Sequence, residues 1–102
     1  MPKLTTIYWR DIPAQVIGQQ GRARHKQEMP PRFAAGIDRA AMRAGKGSSN
    51  AYLEEWRRES RRCEGELEAL VGEEIARLET AFPDAVLEAA VKNGGRLTAE
   101  QE

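Results

Sequence analysis

Pro30-Pro31 divides this chain into two kinds of pattern, because consecutive prolines disfavour helix before them and permit a helix to start at the second. Before the break, Leu4 to Arg10 alternates Thr5, Ile7 and Trp9 against Leu4, Thr6, Tyr8 and Arg10. This run of β-branched and aromatic residues predicts a strand with both faces partly covered. Asp11-Ile12-Pro13 then predicts a turn, Ala14 to Ile17 a returning strand, and Gly18 and Gly21 a bulge or bend before the polar stretch Arg22 to Glu28. After the break, Phe33, Ile37, Ala40, Ala41 and Ala44 recur at helical spacing until Gly45. They predict a helix from about Pro31 to Ala44 with Arg32, Arg39 and Arg43 on its outer side.

Gly45 to Asn50 reads as a flexible loop by composition. Residues 51–62 fit either period, since Tyr52, Leu53 and Trp56 share a helical face and Tyr52 and Trp56 share one side of a strand. A continuous helix from Asn50 to Phe82 would be about three times the usual length and would enclose Gly65 and Gly72, so a strand is expected there. Leu67, Leu70, Val71, Ile75, Leu78 and Phe82 form a long apolar stripe, and beyond Pro83 a short helix ends at Asn93-Gly94. The order strand, strand, helix, strand, helix describes an α+β fold, a small antiparallel sheet with helices packed on one face. One domain over residues 1–92 and a fraying tail over 93–102 are expected, the tail having only Leu97 as an anchor.

Net charge is zero, but residues 1–50 carry +6 and residues 51–102 carry −6. Separated in space, the halves would attract partners of opposite sign; packed together, they would neutralise each other. A lone cysteine, Cys63, excludes an internal disulfide, and no apolar run approaches the length of a spanning helix. With no charged start followed by an apolar run, a cytoplasmic location is expected, with no membrane partner. His25 is the sole histidine and has no companion Cys or His ligands, so neither a metal nor another cofactor is expected. Cys63 lies beside Arg61 and Arg62, but without a plausible histidine partner it reads as a small packed side chain. No acid, base and nucleophile can be assembled, so the chain does not read as an enzyme.

The candidate binding residues fall in three places. Trp9, Arg10 and Asp11 put an aromatic and two opposite charges at a strand end, although a strand-end ion pair beside a core tryptophan explains them as well. Arg22, Arg24 and Lys26, with His25 among them, make a compact basic run that suits an acidic partner or a solvated face; zero net charge and the absence of a recognisable module argue against nucleic acid. Tyr52 and Trp56 adjoin Arg57, Arg58, Arg61 and Arg62, the composition of a binding hot spot, although a small domain also needs such residues for its core. The arginines there alternate with Glu54, Glu55 and Glu59, as a self-paired surface does.

Thr5 to Val16, with Pro30-Pro31-Arg32-Phe33 and Ile37 to Gly45, resembles a small bacterial family of "virulence factor" domains, over roughly residues 3–62. The resemblance implies a docking module, free-standing or at the end of helical-repeat proteins, and an accessory role near folate and corrinoid one-carbon metabolism. It transfers no catalytic residue. The sequence therefore reads as a non-catalytic protein-interaction domain using Trp9, Arg10, Asp11, Arg22, Arg24, Lys26, Tyr52 and Trp56. The alternative is a small anionic-ligand module built on the basic first half, in a homodimer whose sheet edges pair.

Overall fold

The computed structural model describes residues 2–45 and 49–97. Strands β1 (Lys3–Trp9), β2 (Ile12–Gln20), β3 (Ala23–Glu28) and β4 (Trp56–Arg62) form one antiparallel sheet in the order β3-β2-β1-β4. Helices α1 (Pro31–Arg43), α2 (Ser49–Leu53), α3 (Leu67–Ala81) and α4 (Asp84–Lys92) complete an α+β fold.

The strand at Leu4 to Arg10, the helix after Pro30-Pro31 and the helix break at Pro83 all form where the sequence places them. Three features differ. The first turn is Arg10-Asp11, with Trp9 paired to Ile12, so Ile12 and Pro13 already belong to β2. The bulge lies at Ala14, where the pairing steps from Ile7–Gln15 to Tyr8–Pro13, beside the proline that cannot donate to a regular ladder. The polar stretch Ala23–Glu28 is itself a strand, joined to β2 by the two-residue turn Gly21-Arg22 with Gly21 at φ 59°. Within residues 51–62 both periods are used, the helical one by α2 and the strand period by β4. Of the loop expected at Gly45 to Asn50, positions 46–48 lie outside the described residues.

Sheet register fixes which residues share a face, because directly opposed residues project to the same side. Leu4, Thr6 and Tyr8 of β1 share a side with Val16 and Gly18 of β2, His25 of β3, and Arg57, Glu59 and Arg61 of β4. Helix α3 packs on this side against β2 and β3. Gly18 permits the approach, since a Cβ there would stand 3.0 Å from Val71 Cγ2. Helix α1 packs on α4, and Phe33 meets Phe82 edge-on at 5.9 Å. These helices close the end of the sheet where β1 finishes, and the core unites Leu4, Trp9, Ile12 and Val16 with Phe33, Ile37, Ile75, Leu78, Leu87 and Val91.

The expected tail begins in an ordered segment. Gly95, at φ 95°, lies so close to the Trp9 ring that a Cβ would come within 2.8 Å of it. The Gly95 carbonyl accepts the Asp11 N–H at 2.9 Å, and Asp11 Oδ2 accepts the Leu97 N–H at 2.8 Å. Bonds to backbone groups of Gly94, Gly95 and Leu97, which the side-chain pattern does not reveal, hold this segment to the β1–β2 turn. The rest of the tail lies outside the described residues. No described helix is long and apolar enough to cross a membrane.

Candidate functional site

Trp9, Arg10 and Asp11 form a structural knot. Trp9 is 0% exposed, its indole N–H donates to the Tyr52 carbonyl at 2.9 Å, and its ring stacks on Tyr52 at 5.7 Å. Such a residue has no surface to offer, which corrects its expected role as a binding anchor. Arg10 occupies the left-handed region at φ 54°, a conformation that costs a non-glycine residue about 1–2 kcal/mol. Its guanidinium donates to Glu55 Oε2 at 3.2 Å and to the Gly94 carbonyl at 3.0 Å, which offsets that cost by tying the residue before β4 and the chain after α4 to the turn. Asp11 pairs with Arg57 at 3.5 Å and accepts the Leu97 amide. The charges of Arg10 and Asp11 are thus spent inside the fold.

Part of the charge asymmetry between the chain halves is neutralised in the same way, and the second half also pairs charges of its own. Arg39 makes a two-pronged contact with Glu88 at 2.6 and 2.7 Å, and Arg32 pairs with Asp84 at 3.5 Å while lying over the Phe33 ring. On the α3 side of the sheet, Glu74 is 5% exposed and accepts from Arg77 at 2.5 Å and from Arg61 at 3.2 Å. The Arg77 hydrogen bond outweighs burial and holds the Glu74 carboxyl below its ordinary range. Arg57 pairs with Glu59 as well as Asp11 and lies over the Tyr8 ring at 4.4 Å. Burial, and then the charges of Glu59 and Glu74, push the Tyr8 hydroxyl above its usual pKa.

The opposite side of the sheet is unlike this. Its residues lie in three rows, read from β3 to β4: Arg24, Gln19, Lys3, Arg62; then Lys26, Ile17, Thr5, Ser60; then Glu28, Gln15, Ile7, Arg58. The Thr5 and Ser60 hydroxyls bond at 2.8 Å across the middle row. Lys3, Arg24, Lys26, Arg58 and Arg62 are all exposed, and none is in an ion pair among the described residues. Ile17 is 7% exposed yet stands outside the main core, flanked by long side chains whose stems cover apolar surface while their heads remain in water. Arg22 is exposed in the adjoining turn.

The structure therefore brings Arg22, Arg24 and Lys26 together with Lys3, Arg58 and Arg62, and separates Trp9, Arg10 and Asp11 from them. Sequence reasoning missed Lys3 and treated the β4 arginines as one self-paired cluster. Strand parity is the signal that separates them: Arg57 and Arg61 point to α3, and Arg58 and Arg62 to the open side.

Tyr52 and Trp56 are half-buried and meet edge-to-face at 5.7 Å and 85°. They line a cleft of about 240 Å³ together with Gln15 and Glu28 of the sheet, Met29 just after it, and Ala34, Ile37 and Asp38 of α1. A second cleft, of about 220 Å³, runs past Thr6, Tyr8 and Glu59, and its arginines, Arg61 and Arg77, are those held by Glu74. Among the described residues no group of three or more His, Cys, Asp and Glu side chains could hold a metal ion.

No curated protein and no solved structure matches this chain. Residues 7–91 match one protein family, a span that runs past the stretch carrying the resemblance and takes in α3 and most of α4. On that match the chain belongs to the family described as Virulence factor.

Proposed function

We propose that this domain is a non-catalytic protein-binding module and that the open sheet face is its contact surface, docking an acidic patch on a partner protein. One observation carries the reading: Lys3, Arg24, Lys26, Arg58 and Arg62 lie unpaired on one face, while most of the remaining arginines are in ion pairs. A surplus of unneutralised positive charge steers association with an acidic surface and sets specificity more than affinity. The face runs across all four strands, a width that suits a protein contact.

A nucleic acid fits less well, because the three rows that carry the cations hold no aromatic ring on which bases could stack. Trp9 is buried, Tyr8 lies on the α3 side under Arg57, and Trp56 stands beside the carboxylates of Glu28 and Asp38, which repel phosphate. A small anion also fits less well, since neither cleft is lined by unpaired cations. Self-pairing of the sheet edges is opposed by like charge, with Arg24 and Lys26 on β3 and four arginines on β4. The accessory role beside one-carbon enzymes belongs to the same proposal, as the class from which the partner would come.

Lysine-directed cross-linking in native extract tests this. Treated with nuclease and captured through a tag, the protein is expected to yield one partner whose cross-links map to Lys3 and Lys26, and the Arg58→Glu/Arg62→Glu variant is expected to lose it. Capture abolished by nuclease, cross-links confined to Lys92 of α4, or binding indifferent to the charge reversal would overturn the reading.

A further inference from the structure

The cleft beside Tyr52 and Trp56 has the opposite character to the cation face. Two carboxylates, Glu28 at the end of β3 and Asp38 on α1, line it, and both are exposed and unpaired among the described residues. No Lys or Arg lines it. Its aromatic corner is rigid on one side, because Tyr52 is stacked on the fully buried Trp9 and its carbonyl accepts the Trp9 indole N–H. Asp38 also acts on the ring beside it: after burial, the charge of Asp38 pushes the Tyr52 hydroxyl above its usual pKa. Aromatic surface with adjacent carboxylates attracts cations twice, through the ring quadrupole and through the formal charge. A planar guanidinium satisfies both at once, stacking on a ring while its fork of donors reaches carboxylates on different elements, which a compact ammonium does not do.

We propose that this cleft is a binding site for an arginine side chain presented by a partner protein. The site draws on carboxylates and aromatic rings, not on the cations of the docking face, so the two are tested separately. The cleft continues directly into that face through Gln15 and Glu28, which belong to its last row. Along β2, Gln15 and Gln19 are four residues apart, about 13 Å. A partner carrying an arginine at that distance from an acidic patch would engage both, and the pair of opposite charges would fix its orientation.

The test is an amide and indole chemical-shift titration of the full chain with N-acetyl-arginine-methylamide, with the citrulline analogue as the neutral probe of matching shape. The arginine probe is expected to move the Trp56 indole resonance and the amides of Gln15, Glu28 and Asp38, while Val71 and Ile75 on α3 stay still. Asp38→Asn and Glu28→Gln, both at exposed positions that leave the fold intact, are each expected to weaken the effect about threefold, the usual scale for one exposed charge pair. Equal shifts with the citrulline probe, or shifts absent from the cleft at the probe's solubility limit, would overturn the proposal and leave the cation-face reading untouched.

Discussion

On β4, Arg57 and Arg61 project toward the helical layer and end in carboxylates, whereas Arg58 and Arg62, one residue further on, project away and meet none among the described residues. Composition does not distinguish the two pairs. Geometry does: on the α3 side a buried acid, Glu74, gathers Arg61 and Arg77, so those charges stabilise the fold, while on the open side the cations hold nothing together. The difference teaches that between Lys3 and Ile7 strand parity separates charge that stabilises the fold from charge left free, whereas at Trp9, which shares the parity of Lys3, Thr5 and Ile7, the same side is buried in the core.

If that division is right, substitutions on the two faces must behave differently. The largest contrast is expected between Leu4→Ala, which empties a core position 3% exposed and should cost about 4 kcal/mol, and Ile17→Ala, outside the main core, which should cost about 2 kcal/mol. Equal losses in urea unfolding would break the comparison. Gly18→Val should cost about 2 kcal/mol, because its side chain would overlap Val71 and Leu67 of α3; in the same assay an unchanged midpoint would mean that α3 does not sit as described.

Glu74→Gln should cost about 1–2 kcal/mol at neutral pH, a modest loss because both of its arginine partners remain largely exposed. The pH dependence has a definite sign. With its folded pKa held below the ordinary 4.5, Glu74 contributes stability that is full above that value and fades as pH falls through the lowered pKa. The gap between wild type and variant should therefore close in acid, and a gap that widened would contradict the pairing. The smallest effect on stability is expected for Arg58→Glu/Arg62→Glu, within about 0.5 kcal/mol, although this variant should lose the partner.

The fold was legible wherever one segment carries its own pattern. Leu4 to Trp9 alternates and Val71, Ile75 and Leu78 recur at helical spacing, so β1 and α3 declare themselves. Strand β3 does not, because it is an edge strand with every residue but His25 exposed, and such a strand has no apolar alternation to read. Residues 93–97 were illegible for another reason: Gly95 and Leu97 are anchored through backbone groups to Asp11 at the far end of the chain. The candidate site was half legible. Arg24 and Lys26 form a local run, but Lys3, Arg58 and Arg62 join them only through pairing across β1. Trp9 and Arg10 misled because a tryptophan beside an arginine has the same composition in a hot spot and in a knot; only the positions of Tyr52, Glu55 and Gly94 distinguish them.

The most direct measurement is amide chemical-shift mapping of the full chain with a poly-glutamate peptide at increasing salt. The account predicts shifts at Lys3, Ile17, Lys26, Arg58 and Arg62 that fade as salt screens the contact, with Glu73 and Arg77 on α3 unmoved. Shifts centred on α3, or on α1 and α4, would contradict the assignment of recognition to the open face.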